Sequence, residues 1–118
     1  MKTIKKLSTQ GCEACRADVP LLTQEEIISL MSEVEGWKIR VEDNLQKLTR
    51  VFKTKNYTQS LSFTNAIGVV AEEENHHPLI VLEYSSVTVE WWSHKIKGLH
   101  QNDFIMAAKT SELFCMMT

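Results

Sequence analysis

The sequence predicts an α+β fold: a four-stranded antiparallel sheet with helices packed on one face, in the order α-β-β-α-β-β-α. Three observations predict it. Two pairs of strand-length segments, one member of each pair alternating apolar and polar residues, are each joined by a short polar turn. Three other stretches repeat apolar residues at helical spacing. The length, 118 residues, suits one compact domain. Short turns join antiparallel neighbours, and a sheet with one apolar face needs helices to cover it.

Residues 1–22 mix polar side chains with Gly11 and Pro20 and show no sustained periodicity, so they read as a loosely ordered leader. Residues 23–118 then form a single domain. Thr23 and Glu26 have the form of a capping box that opens a helix. Ile27, Ile28, Leu30, Met31 and Val34 follow at helical spacing, and Gly36 supplies a permissive end. Trp37, Ile39 and Val41 alternate with Lys38 and Arg40 as a half-buried strand, and Glu42-Asp43-Asn44 reverses it into a second strand through Phe52.

Asn56 with Gln59 caps a second helix, whose Leu61, Phe63, Ile67, Val70 and Ala71 form a broad apolar stripe. Its acidic end, Glu72-Glu73-Glu74, runs into Asn75-His76-His77-Pro78, and Pro78 cannot continue a helix without losing a hydrogen bond. Leu79 to Tyr84 is a run of strand length and Ser85-Ser86 the expected turn. Val87, Val89 and Trp91 alternate with Thr88, Glu90 and Trp92, which puts one indole on each face of the sheet. After Gly98, a last helix from about Gln101 to Met117 carries Phe104, Ile105, Ala108 and Leu113 on one face.

Composition narrows the class of function. Hydrophobic residues make up 43% and charged residues 24%, enough apolar material to form a core. A formal net charge of -2, with lysines scattered, gives no basic stripe for phosphates, so no direct nucleic-acid binding is expected. The N-terminus lacks the apolar core of a secretory signal, and no stretch approaches the ~20 apolar residues of a membrane span. Three cysteines do not make a disulfide framework, so a cytoplasmic location is expected. Cys12 and Cys15 form one Cys-x-x-Cys with no second pair to complete a zinc site. A domain this small leaves much surface exposed, which favours association between subunits.

All four histidines fall between positions 76 and 100. Imidazole titrates near pH ~6.5 and can donate or accept a proton at neutral pH, as acid-base catalysis requires. Thr88, Glu90, Trp92 and His94 share one strand face if the strand persists that far. Glu72 or Asp103 could complete a metal shell, but neither a two-histidine helical zinc motif nor paired cysteine knuckles are present. No metal is therefore expected.

Glu72, three residues, His76-His77-Pro78, five residues, Tyr84, nine residues, His94, eight residues and Asp103 make a signature that resembles the pterin-4a-carbinolamine dehydratase family. Glu35-Gly36-Trp37, Phe63-Thr64-Asn65-Ala66, Val87-Thr88-Val89 and Gly98-Leu99 extend the likeness over Leu22 to Thr110. The leader from Gly11 to Arg16 and the segment from Trp91 to His100 resemble the bacterial branch more than the animal one. The resemblance implies a hydro-lyase that takes a 4a-hydroxytetrahydropterin, left by an aromatic amino-acid hydroxylase, to the quinonoid dihydropterin without a cofactor, and so serves tetrahydrobiopterin recycling. It implies a homodimer or homotetramer. Relatives also act as binding partners that stabilise a transcription factor's dimer, which offers a non-enzymatic alternative.

By that resemblance His76, His77 and His94 are the catalytic set. His76 and His94 lead as acid and base, and His77 positions substrate or shares the proton. Asp103 is expected either to orient His94 or fix its protonation state, or to serve as a first-turn helix charge, and Glu72 to hold a histidine, meet the pterin's polar edge, or form part of a solvated helix end. Pro78 supports the corner. Trp37 and Tyr84 are expected either beside the flat ring or buried in the sheet. Replacing His76 with alanine is expected to cost turnover and little stability.

Overall fold

The computed structural model describes residues 7–11 and 21–118. Cys12, Cys15 and Pro20 lie outside the described residues. Three helices and four strands follow one another as α1 (Gln24–Met31), β1 (Lys38–Glu42), β2 (Leu45–Lys53), α2 (Tyr57–Glu74), β3 (Leu79–Glu83), β4 (Ser86–Trp91) and α3 (Gln101–Met117). The sheet is antiparallel throughout, in the order β1-β2-β4-β3. The expected fold class and element order are those observed.

Local chemistry sets most of the boundaries. Thr23 caps α1 with the expected capping box, its Oγ1 accepting from Glu26 N and Glu26 Oε1 accepting from Thr23 N. Asp43 and Asn44 both take left-handed backbone (φ 52° and 63°), the geometry of a two-residue turn whose twist matches paired strands. Asn56 caps α2 by accepting from Gln59 N at 2.9 Å.

Four expectations need correction. α1 ends at Met31 rather than near Gly36. Ser32 Oγ donates to Ser29 O at 2.7 Å, and the amides of Glu33 and Val34 turn back on Leu30 and Met31, tightening the chain out of the helix. Gly36 has φ +87° but shapes the link to β1. The second hairpin turns at Tyr84-Ser85, because Ser86 already pairs with Glu83. Tyr84 is therefore 67% exposed at a turn, not packed in the sheet. β4 stops at Trp91, so His94 does not extend the strand face. Part of the presumed leader is seated: Leu7–Thr9 forms a 3-10 turn, Leu7 enters the core, and Lys109 Nζ donates to Ser8 O.

Strand parity then sorts the two faces. Leu48, Phe52, Val87, Val89 and Trp91 point into one core with Phe63 and Ile67 of α2 and Phe104 and Ile105 of α3. Phe52, Phe63 and Phe114 meet edge-on or tilted at 4.9–5.1 Å between centroids, a favourable aromatic arrangement. The opposite face carries Lys47, Thr49 and Glu90, with Val51 and Val81 exposed. Trp91 is the last residue of β4, and the chain beyond the end of that strand carries His94.

Candidate active site

The corner between α2 and β3 separates its two histidines. Asn75 takes the left-handed conformation that closes a helix (φ 51°), while His76 N donates to Ala71 O at 3.0 Å and Asn75 N to Glu72 O at 3.3 Å. These two bonds are those of a Schellman motif. After it His76 turns inward, 6% exposed, and His77 outward. Half-buried Pro78 then leads the chain into β3.

His76 is fixed on two sides. Its ring stacks on Trp91 with centroids 5.6 Å apart and planes 7° apart. Its Nε2 lies 2.6 Å from Oδ1 of Asp103, a fully buried carboxylate. The other oxygen, Oδ2, accepts from Ser93 Oγ at 2.8 Å and from the backbone N of His100 at 2.9 Å. A carboxylate gathering three donors acts as acceptor throughout, so Nε2 of His76 carries a proton, and in the neutral ring Nδ1 is the acceptor. Asp103 therefore orients His76, not His94 as expected. The reason is local: the chain leaves β4 at Trp91, so buried Ser93 faces the start of α3 while His94 swings out.

His100 is not an idle surface residue. It caps α3, its Nδ1 accepting from Asn102 N at 3.0 Å while Asp103 accepts from its backbone N, a capping box between N-cap and third residue.

His94 sits in the turn closed by paired Ser93 and Gly98. It is exposed, its ring lies on Trp92 at 4.4 Å and 29°, and its Nε2 lies 3.3 Å from the backbone carbonyl of His77. His77 itself pairs with Glu72, Nε2 to Oε2 at 3.2 Å, both side chains well exposed. The corner and the turn thus bring His76, His77, His94, Glu72 and Asp103 into one neighbourhood. Trp37 is not brought there: it is 4% exposed in the core, edge-on to Phe52, and its Nε1 donates to Ser111 Oγ at 2.8 Å. Tyr84 lies at the hairpin tip, where its carbonyl accepts from Ser60 Oγ.

The open face next to Trp92 carries alternating charge. Arg40 holds Glu90 with two bonds of 2.6 and 2.8 Å, Glu42 accepts from Arg40, and Lys47 donates to Glu42 at 2.9 Å. The hydrogen bonds from Lys47 and then Arg40 bring the Glu42 carboxyl down to about 2. That from Arg40 holds Glu90 below the ordinary carboxylate value, and the two carboxylates raise Arg40. Among the described residues no buried side-chain nitrogen or oxygen lacks a partner, and no three His, Cys, Asp or Glu converge to hold a metal ion.

Ser93 and Lys47 were not singled out from the sequence. Ser93 could have been found by parity, since it follows Trp91 by two on the core side. Lys47 could have been found only from the register, which pairs Leu48 with Trp91 and so sets Lys47 across from Trp92.

Comparison with known proteins agrees with this fold. The sequence profile of the family described as pterin 4 alpha carbinolamine dehydratase matches residues 20–113. A curated relative from Nitrosococcus oceani, provisionally named pterin-4-alpha-carbinolamine dehydratase, is 54% identical over 110 residues, covering 93% of this chain and 97% of the relative. A relative of the same provisional name from Syntrophotalea carbinolica is 50% identical over 110 residues, covering 93% and 98%. Among solved structures, a transcriptional coactivator/pterin dehydratase from Brucella melitensis superposes with a TM-score of 0.72 at 28% identity, covering 80% of this chain and 98% of that one. A pterin dehydratase-like protein identified as a RuBisCO assembly factor in the alpha-carboxysome shares the fold, with a TM-score of 0.57 at 20% identity and coverage of 67% and 89%. The chain belongs to the pterin 4 alpha carbinolamine dehydratase family.

Proposed function

We propose that this protein is a hydro-lyase that converts a 4a-hydroxytetrahydropterin to the quinonoid dihydropterin by histidine acid-base catalysis. The observation that carries the reading is the hydrogen bond of His76 to buried Asp103, with a second, exposed histidine, His94, bonded to the backbone carbonyl of the adjoining His77. A carbinolamine loses hydroxyl from carbon and a proton from the adjacent nitrogen, leaving a C=N bond and water. One group must protonate the departing oxygen and another must take the nitrogen's proton.

His76, with Nε2–H committed to Asp103, offers Nδ1 as base. His94, exposed on its turn, supplies the proton to the hydroxyl, and the exposed His77–Glu72 pair positions the substrate. The hydroxyl leaves as water, His94 regains its proton from solvent, and His76 gives up to solvent the proton its Nδ1 took. The chain's own groups suffice for both transfers, without a cofactor.

The substrate in this reading comes from an aromatic amino-acid hydroxylase, and the reaction returns the pterin to use in tetrahydrobiopterin recycling. A reducing compartment such as the cytoplasm suits the exposed free thiol of Cys115. Self-association is supported by Tyr57, Leu61 and Val69, which stand exposed along α2; light scattering that returns a monomer would reject it. A coactivator role beside catalysis is a second reading, favoured by the name of the Brucella neighbour.

The test is the rate of quinonoid dihydropterin formation from freshly generated 4a-hydroxytetrahydropterin, with chelator present. Acceleration by the wild type supports the dehydratase. Absence of acceleration by folded protein rejects it and leaves the binding role.

A further inference from the structure

We propose that Lys47 and Trp92 are positioning residues for His94. The indole is the seat on which the imidazole lies, and the Lys47 ammonium, anchored by Glu42, holds that indole in place. The inference rests on the dehydratase reading for its functional consequence, but its geometry stands apart from it.

His94 has little else to fix it. Its turn is closed by Ser93 N donating to Gly98 O at 2.8 Å and Gly98 N to Ser93 O at 3.3 Å, which sets the backbone but not the ring. Among the described residues its side-chain hydrogen bond is the long one to the His77 carbonyl, 3.3 Å. An exposed imidazole so held would sample several rotamers. The stack on Trp92 at 4.4 Å supplies the missing restraint.

Trp92 in turn needs an anchor, because it lies one residue beyond β4. The register sets Lys47 across from it, on the face away from the helices. Lys47 Nζ lies 4.2 Å from the indole centroid, within the range of a cation–π contact. The lysine is only 7% exposed and its ammonium is fixed at 2.9 Å from Glu42.

Stability alone does not account for this lysine. It stands directly opposite Arg40 in the β1–β2 register, and like charges facing across strands are unfavourable. The pairing is tolerated because Glu42 bonds both cations. A β-branched residue at position 47 would serve the sheet without that array. What the lysine adds is a cation fixed against the indole that carries His94.

Two readouts test this together: kcat and KM for pterin dehydration, and the NMR shifts of the His94 ring protons, which an indole ring current moves upfield. Trp92→Ala should lower kcat about a hundredfold, the cost of a misplaced catalytic group, with KM changed by no more than about threefold. Its His94 shifts should revert to those of a free imidazole. Lys47→Met, which keeps the stem, should lower kcat about tenfold and reduce the upfield shift. Trp92→Phe and Lys47→Arg, which keep the aromatic face and the cation, should recover both readouts to within a few-fold of wild type.

Folded Trp92→Ala with wild-type kcat and unmoved His94 shifts would overturn the proposal, as would Lys47→Arg impaired as deeply as Lys47→Met. Should the wild type prove unable to dehydrate the pterin, the functional reading fails alone. The His94 shifts across the four variants still decide whether Lys47 and Trp92 position the ring.

Discussion

Two histidines rest on two consecutive tryptophans, one on each face of the sheet. His76 lies on Trp91, inside the core, with its Nε2 held by Asp103. His94 lies on Trp92, outside, with a long bond to a carbonyl and an indole braced by Lys47. The inner ring is fixed by hydrogen bonds that also tie α3 to the chain after β4, so its restraint belongs to the fold. The outer ring is exposed and is fixed by stacking on a half-buried indole, so the ring itself contributes little to the fold. One site thus contains a histidine whose position cannot be changed without cost to stability and another whose position can.

The largest effect should come from Asp103→Asn. An amide has one acceptor oxygen where the carboxylate meets three donors, so at least one buried donor is left facing an N–H. Turnover should fall by a factor of about 10² to 10⁴, the range for loss of an acid-base partner, and stability by about 3 kcal/mol. Turnover and a urea melt check both, and an unchanged melt would break the assignment of Asp103 to the fold.

The tryptophans separate the two sides next. Trp91→Ala, at 0% exposure with Nε1 bonded to Thr110, should destabilise by about 3–5 kcal/mol. Trp92→Ala, which removes a half-buried indole packed against the core, should cost less, about 1–2 kcal/mol, while lowering kcat. Comparable melting curves for the two would erase the distinction.

The same contrast corrects the expectation that His76→Ala spares stability. Removing a ring packed on Trp91 takes one donor from a buried carboxylate, and about 1–3 kcal/mol should be lost. Activity of that variant must be read with its folding checked, whereas His94→Ala carries no such burden.

Acid should act on the open face. Glu42 and Glu90 both have folded values below the ordinary 4.5, through hydrogen bonds from Lys47 and Arg40 for the first and from Arg40 for the second. A depressed carboxylate contributes stability above its unfolded value and loses it as pH falls through the folded one. Stability should therefore decline from about pH 4.5 toward the value near 2 of Glu42, and Glu90→Gln should flatten part of that decline. An acid profile identical in Glu90→Gln would count against the array. The smallest effect belongs to Glu72→Gln: its pair with His77 is exposed on both sides, so melting should not move and kcat should change by no more than a few-fold.

Much of the fold was legible because local signals agree with packing. The capping box at Thr23, the Asp43-Asn44 turn and the Asn56 cap each sit where a hydrophobic period changes, and α3 spans the residues its periodicity marked out. α1 was overextended because Val34 keeps helical spacing and enters the core, 3% exposed, while Ser32 has already turned the backbone away. The histidine set was legible through signature spacing, not periodicity. The partner of Asp103 was not, since it depends on β4 stopping at Trp91 rather than running on to His94. Two adjacent tryptophans give the same alternation either way. Lys47 was hidden for a similar reason: its meaning lies in a register that strand patterns alone do not fix.

The central claim is that His76 and His94 act on one substrate as one acid-base pair. The most direct measurement is a double-mutant cycle on kcat/KM for pterin dehydration, using His76→Ala, His94→Ala and the double variant, each confirmed folded by circular dichroism. The account predicts deep losses in both single variants and little further loss in the double, because groups that act as a unit are not additive. A folded double variant that retains wild-type turnover, or two small losses that simply add, would contradict it.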